Sequence, residues 1–261
     1  MNKSSFSVFV QLLFRELTIF RTRFRQRVIN MCMVFFTNVV VFNYFLAPMG
    51  MGPNYGPFIM VGAIAIFGLF DLMMYVSEMV MDMEGNRRIN HTLSMPIPST
   101  LVFISIGFNW AVTSAILIAF LIPVGKLLLW SQFSLSAVSW WRFAIIYPLI
   151  HLFFGFFALW ISSVFSKASQ IGNIWTRVVN PLFMFGAYFF PFSSVLTVSP
   201  MLAKFFLINP IIYVTEGLRS AMLGPSEASI PFWICPTMLI FFSMVFIWHS
   251  TKRFKKILDC V

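Results

Sequence analysis

Six runs of about 20 residues recur along this chain with few or no charges, and a run of that length and polarity matches the hydrocarbon thickness of a bilayer. They fall near residues 29–47, 58–80, 100–123, 143–165, 175–192 and 231–248. Lipid offers no water to pair with backbone N–H and C=O groups, so each run has to satisfy its own backbone as a helix. The composition agrees, 59% hydrophobic and 18% aromatic with 10% charged. The expected fold is an all-α polytopic membrane protein.

In a soluble chain a net charge of +10 would suggest nucleic acid. Here the basic residues sit beside apolar runs, where they mark the cytoplasmic side of the membrane. Residues 5–28 place Phe6, Val10, Leu13, Leu17, Phe20 and Phe24 at alternating spacings of four and three, with Arg15, Arg21, Arg23, Arg25 and Arg27 mostly off that stripe. This pattern predicts an amphipathic interfacial helix whose arginines reach anionic headgroups. The segment has no small-residue cleavage site after a short apolar core, so it is expected to be retained. A second basic group, Lys252, Arg253, Lys255 and Lys256, follows the last run. Six spans with both termini cytoplasmic leave only Lys126, Arg142, Lys204 and Arg219 of the 18 Lys/Arg on the outer side. Trp130, Trp140 and Trp141 then occupy an outer loop, as an interfacial aromatic belt would. The three cysteines form neither an even framework nor a C-x-x-C pair, so no disulfide scaffold or zinc site is expected.

Polar residues inside or between the runs are the candidate functional positions. Asp71 and Glu78 lie seven residues apart, on one face of the second span. A carboxylate deep in lipid costs ~2.5–3.5 kcal/mol, so Asp71 should face the bundle interior, water or a partner. His151 in the fourth span is one candidate partner. The pair reads equally as a polar pathway lining and as a buried contact that fixes packing. Residues 81–99 are too polar to span and end in Pro96 and Pro98, which predicts a short cytoplasmic helix suited to docking a soluble partner, or a solvated loop.

Residues 209–224, NPIIYVTEGLRSAMLG, carry an N-cap in Asn209, Pro210 at the first helical position, and a stop at Gly224–Pro225. Tyr213 and Glu216 share a face, and Arg219 is placed to pair with Glu216. Spacing alone favours a short amphipathic helix on the membrane surface with a self-satisfied ion pair. Its neighbourhood, residues 193–230, is apolar yet has no free span to join. A re-entrant segment that dips into the outer leaflet is therefore expected, lining a cavity or capping a pathway. His91, His151 and His249 lie on separate elements without a paired carboxylate or nucleophile, so no catalytic constellation and no resident metal are expected.

With these residues in place, the chain resembles the membrane subunit of a type-2 ABC exporter. This permease family includes capsule, O-antigen, teichoic-acid, nodulation-factor and drug exporters. The resemblance rests on the basic helix with FRELTIFRTRF, six spans, the polar loop ending in proline before span three, the FPF run at 190–192, and above all the N-P-x-x-x-x-x-E-x-x-R segment at 209–219. It implies an interfacial helix over 1–28, a six-span domain over 29–249 and a basic tail over 250–261. Coupling to an ATPase would fall to Glu84, Arg87, Arg88, His91, Leu93 and Pro96, and the outer re-entrant motif to Asn209, Pro210, Tyr213, Glu216 and Arg219. Where relatives carry Gly-Thr and Glu near the coupling helix, this chain has Arg87–Arg88 and Asn90. No G-x-x-x-x-G-K-[ST] loop occurs in the sequence. The resemblance therefore implies a transport subunit rather than an enzyme, with ATP and Mg bound by a separate ATPase, a second copy of this chain, and membrane lipids as neighbours. The expected place is the bacterial cytoplasmic (inner) membrane, and the expected cargo a lipid, lipid-linked glycan or amphipathic compound. The alternative is a proton-coupled secondary transporter using Asp71 and Glu78.

Overall fold

A computed structural model of the chain describes residues 3–46, 49, 55–85, 88–95, 97–225 and 228–257, with the side chains of residues 3–6 and 88 left out. Among the described residues there are helices and turns only, without a strand. The first helix, α1, runs unbroken over Lys3–Val40 and ends in a π turn over Val41–Leu46. No glycine or proline lies inside that stretch, so no strong breaker stops the helix at residue 28. The amphipathic segment and the first span are therefore one continuous rod. Only 17% of its most apolar stretch is buried inside the chain.

The long helix α2, Tyr55–Glu84, is the centre of the bundle, with 83% of its apolar stretch buried. A short helix, α3 (Arg88–Leu93), follows. The third span is α4 (Ser99–Ala119) continued by α5 (Leu121–Leu129), and the fourth is α6 (Trp140–Val164). Small residues bring α4 and α6 into backbone contact, the way helices associate when lipid removes any hydrophobic drive. A Cβ added at Gly155 would lie 2.2 Å from the Gly107 carbonyl oxygen. The last helix, α12 (Ile234–Ile257), packs along α6.

The expected fifth span is where the structure departs most from the hydropathy pattern. A helical run begins with a 3-10 turn at Ala168–Gln170. It continues as α7 (Ile171–Ile174), a π turn (Trp175–Val179) and α8 (Asn180–Met184), and there it stops. The π turn directly precedes Pro181, which lacks an N–H and crowds the carbonyl four residues back, the usual origin of such a widening. Residues 185–191 are irregular, and Ala187 adopts a positive φ of 57°. Three helices then lie between this break and α12: α9 (Phe192–Val198), α10 (Pro200–Phe206) and α11 (Pro210–Met222). The axes of α10 and α11 meet at 96°, the bend of a re-entrant or broken span. Five helices among the described residues are long and apolar enough to cross a membrane, or six if this bent pair counts as one.

Candidate functional site

Helix α11 starts where its residues say it should: the Asn209 side-chain oxygen accepts the Ile211 N–H at 3.0 Å, and Pro210 follows. Its surroundings are not those of a surface helix. All 13 residues of α11 are buried, against the N-terminal ends of α2, α6 and α12. This corrects the expectation that it lies amphipathically on the membrane. Its polar side chains face backbone, not water.

The backbone they face is the end of α8 and the broken segment after it, whose carbonyls lack helical partners. Asn209 Nδ2 donates to the Leu182 carbonyl at 2.8 Å and Thr215 Oγ1 to the Gly186 carbonyl at 2.9 Å. Arg219 uses both ends of its fork, Nη1 to the Ala187 carbonyl at 2.6 Å and Nη2 to the Tyr188 carbonyl at 2.9 Å. From α2, the Tyr55 hydroxyl donates to the Phe189 carbonyl at 3.1 Å. Non-helical backbone at membrane depth persists only when protein buries and pairs it, and these side chains do so carbonyl by carbonyl.

Glu216 serves the opposite polarity. It pairs with Arg219 at 3.4 Å and accepts the backbone N–H of Phe192, the first residue of α9, at 3.4 Å and that of Ser229 at 2.5 Å. The Phe58 ring closes over Arg219, 3.5 Å from its guanidinium carbon. Gly62 makes room: a Cβ there would come within 3.0 Å of Arg219 Nη2. Tyr213, three residues before Glu216 on α11, donates to the Leu207 carbonyl at 2.8 Å. The motif is thus a brace that ties segment five, the re-entrant helices and the start of α12 to α2.

The second cluster lies between α1, α2 and α4. Asp71 is buried in the bundle interior and pairs with Arg27 of α1 at 2.6 Å rather than with the candidate partner His151. Arg27 Nη2 also donates to the Tyr75 hydroxyl at 2.8 Å, which lies 2.7 Å from Thr113 Oγ1. His151 is reached one residue further on, its Nδ1 3.2 Å from Ser114 Oγ. The geometric reason is reach: an arginine of the adjoining rod extends to Asp71, whereas Ser114 of α4 stands before His151. Glu78 pairs with Arg23 of α1 at 2.9 Å, with both side chains half exposed.

The third group is α3. Asp82 accepts the Ile89 N–H at 3.0 Å and so caps this short helix. His91 and Glu84 are exposed, and Leu93 is half buried between α3 and α4. Arg87 and Pro96 lie outside the described residues, as does the Arg88 side chain. The structure therefore keeps the three expected groups apart, at two ends and the middle of the bundle.

Sequence reasoning missed Arg27, Tyr55, Tyr75 and Thr113. The arginine was lost among five similar ones, but Tyr75 was legible as the residue four on from Asp71 on the same face. Residues 7–223 match the family model described as ABC-2 type transporter. No curated protein matches the chain.

Proposed function

Because the chain belongs to the ABC-2 type transporter family, it is a membrane-spanning transport permease, and we propose that it works as the permease subunit of an exporter driven by a separate ATPase. The family match over residues 7–223 is the observation that carries this reading. ATP and Mg would be bound by the partner, which would dock on α3 and the basic half of α1. Supporting this, α3 projects between α2 and α4 with His91 exposed, and Asp82 and the α3 backbone tie it to the end of α2. A push on α3 is then passed to the two helices that frame it.

Two copies of the chain related by a twofold axis would enclose the pathway. Transport becomes directional when ATP-driven closure switches the permease between arrangements with different affinity for cargo. The membrane would be the bacterial cytoplasmic membrane with both termini inside, since the arginines of α1 and the lysines of α12 share one end of the bundle. The cargo would be a lipid, lipid-linked glycan or other amphipathic compound. A proton-coupled transporter using Asp71 and Glu78 draws no support from the geometry, because each carboxylate holds an arginine of α1.

Co-purification through a tag on this chain tests the proposal. An ATPase subunit in equal amount, with ATP hydrolysis in the product, is the expected result. A chain that purifies alone and moves solutes with a proton gradient would overturn it.

A further inference from the structure

The sequence places four basic residues on the outer side, Lys126, Arg142, Lys204 and Arg219, and the structure gives them different surroundings. Lys126 Nζ donates to the Trp130 and Phe133 carbonyls, and Arg219 fills its fork with the Ala187 and Tyr188 carbonyls. Lys204 stands exposed in the last turn of α10. Arg142, in the first turn of α6, is half-buried beside a cleft and leaves part of its fork unused. Its Nη1 makes two long hydrogen bonds, 3.3 Å to the Ser220 carbonyl and 3.5 Å to the Ser220 hydroxyl. Nη2 makes none among the described residues and, unlike the sealed Nε, reaches the surface. No ion pair forms on this guanidinium among the described residues.

Aromatic rings hold Arg142 in place. Its guanidinium carbon lies 5.1 Å from the Trp141 ring centroid and 5.6 Å from that of Phe232, two residues before α12. Trp141 packs in turn on Phe232 at 5.5 Å and on Trp233 at 5.9 Å. The cleft encloses about 400 Å³, and its remaining wall comes from Ser220 of α11 and from Ser229 and Ile230 of the segment that follows. The Ser229 hydroxyl oxygen accepts the Ser193 N–H at 2.9 Å, which leaves its own hydrogen to donate. The described lining thus offers a cation and hydroxyls without a carboxylate. Donors of that kind suit an anion with several acceptor oxygens. Trp141 and Trp233 line the cleft and are exposed, an aromatic rim of the sort that sits at headgroup level.

We propose that this cleft binds the phosphate of a membrane phospholipid. Arg142 and the Ser229 hydroxyl meet the phosphate oxygens, and the exposed indoles lie along the glycerol and acyl chains. Free phosphate shares the headgroup chemistry but has no apolar part for those indoles. A phosphate held here joins the start of α6 to the segment before α12. That segment is already tied to α11 through the Ser229 N–H and Glu216, so the lipid reinforces the brace from outside. The inference uses the membrane placement of the chain and stands without the permease reading. Glu227, the one acid of residues 223–234, lies outside the described residues beside Ala228 of the lining, and the experiment decides its part.

The test is native mass spectrometry of the full chain released from a neutral detergent, with phosphatidylglycerol, the diacylglycerol of the same acyl chains, and inorganic phosphate as probes. Phosphatidylglycerol should stay bound where diacylglycerol does not, and an about tenfold excess of inorganic phosphate should not displace it. Binding should weaken about fivefold or more in Arg142→Gln and stay within about twofold in Arg25→Gln, which alters an exposed arginine of α1. A second measurement needs no variant: phosphatidylglycerol carrying a diazirine beside its phosphate should label residues 141–142 and 228–233 of the wild type. Glu227→Gln should leave the affinity within about threefold. Binding to Glu227→Gln but not to the wild type would show that Glu227 already fills the cleft, and overturns the proposal. Equal binding by Arg142→Gln, equal retention of diacylglycerol, displacement by equimolar phosphate, or labelling confined to α1 overturns it as well.

Discussion

Replacing Arg219 with methionine should cost more than any other single change in the outer end of the bundle. The substitution keeps volume and apolar contact with Phe58 but withdraws two donors and one charge. The Ala187 and Tyr188 carbonyls, held at 2.6 and 2.9 Å, would be left unpaired, at ~1–3 kcal/mol each. Glu216, fully buried, would lose its counter-charge, and breaking a buried pair by removing one partner costs ~3–5 kcal/mol. These contributions overlap, since the same guanidinium makes all three contacts. The expected loss is therefore ~3–5 kcal/mol, a large part of the ~5–15 kcal/mol that holds a typical chain folded. At ~2–4 °C per kcal/mol for a chain of this size, thermal unfolding in detergent, followed by size-exclusion fluorescence, should drop by on the order of 10 °C. Adding Glu216→Gln should recover part of the loss, because the orphaned charge disappears while the one remaining carbonyl oxygen still accepts the Ser229 N–H, at the cost of the longer contact to the Phe192 N–H. An Arg219→Met chain that unfolds within ~2 °C of the wild type would refute the brace.

The Arg27–Asp71 pair should behave as one unit. Arg27→Asp and Asp71→Arg are each expected to lower stability and transport, and the double exchange to restore both in part, with a coupling of ~1–3 kcal/mol in a double-mutant cycle. Arg23→Gln is the contrasting case, since its pair with Glu78 is half exposed and should change unfolding by no more than ~1 kcal/mol. Gly155→Ala should sharply reduce the yield of folded protein, because its Cβ would sit 2.2 Å from the Gly107 carbonyl oxygen, and backbone cannot move aside as a side chain can. Wild-type yield and unfolding temperature for Gly155→Ala would show that the α4–α6 crossing is looser than described.

Hydropathy located α2, the α4–α5 span, α6 and α12 because each is a long apolar run whose backbone must pair with itself. It failed at residues 175–192, where the apolar run continues to Phe192 although the helix stops at Met184. A window average registers side chains and is blind to a backbone that turns, as at Ala187 with its positive φ. The start of α11 was readable from Asn209 and Pro210, because capping is local chemistry. Its burial was not. Polar residues at helical spacing imply water on one side unless something else pairs with them, and here the partners are carbonyls of residues 182–189, which no pattern within α11 reveals. Arg27 was hidden in a similar way. An arginine near an apolar run is equally fit to reach headgroups or a buried carboxylate, and only the packing of α1 on α2 decides between them.

Because α1 is a single unbroken helix pinned near residue 27, it has the mechanics of a lever. At 1.5 Å per residue its basic arm extends ~36 Å from that fulcrum and its apolar arm, to Val40, ~20 Å. A sideways displacement of the basic arm therefore arrives at the opposite end of the bundle reversed in direction and reduced to about half. With most of the rod's apolar window left unburied by the rest of the chain, the swing is resisted chiefly where α1 packs on α4 and α5. The ion pair chosen by Asp71 thus sets both where α1 pivots and how far its remote end can travel.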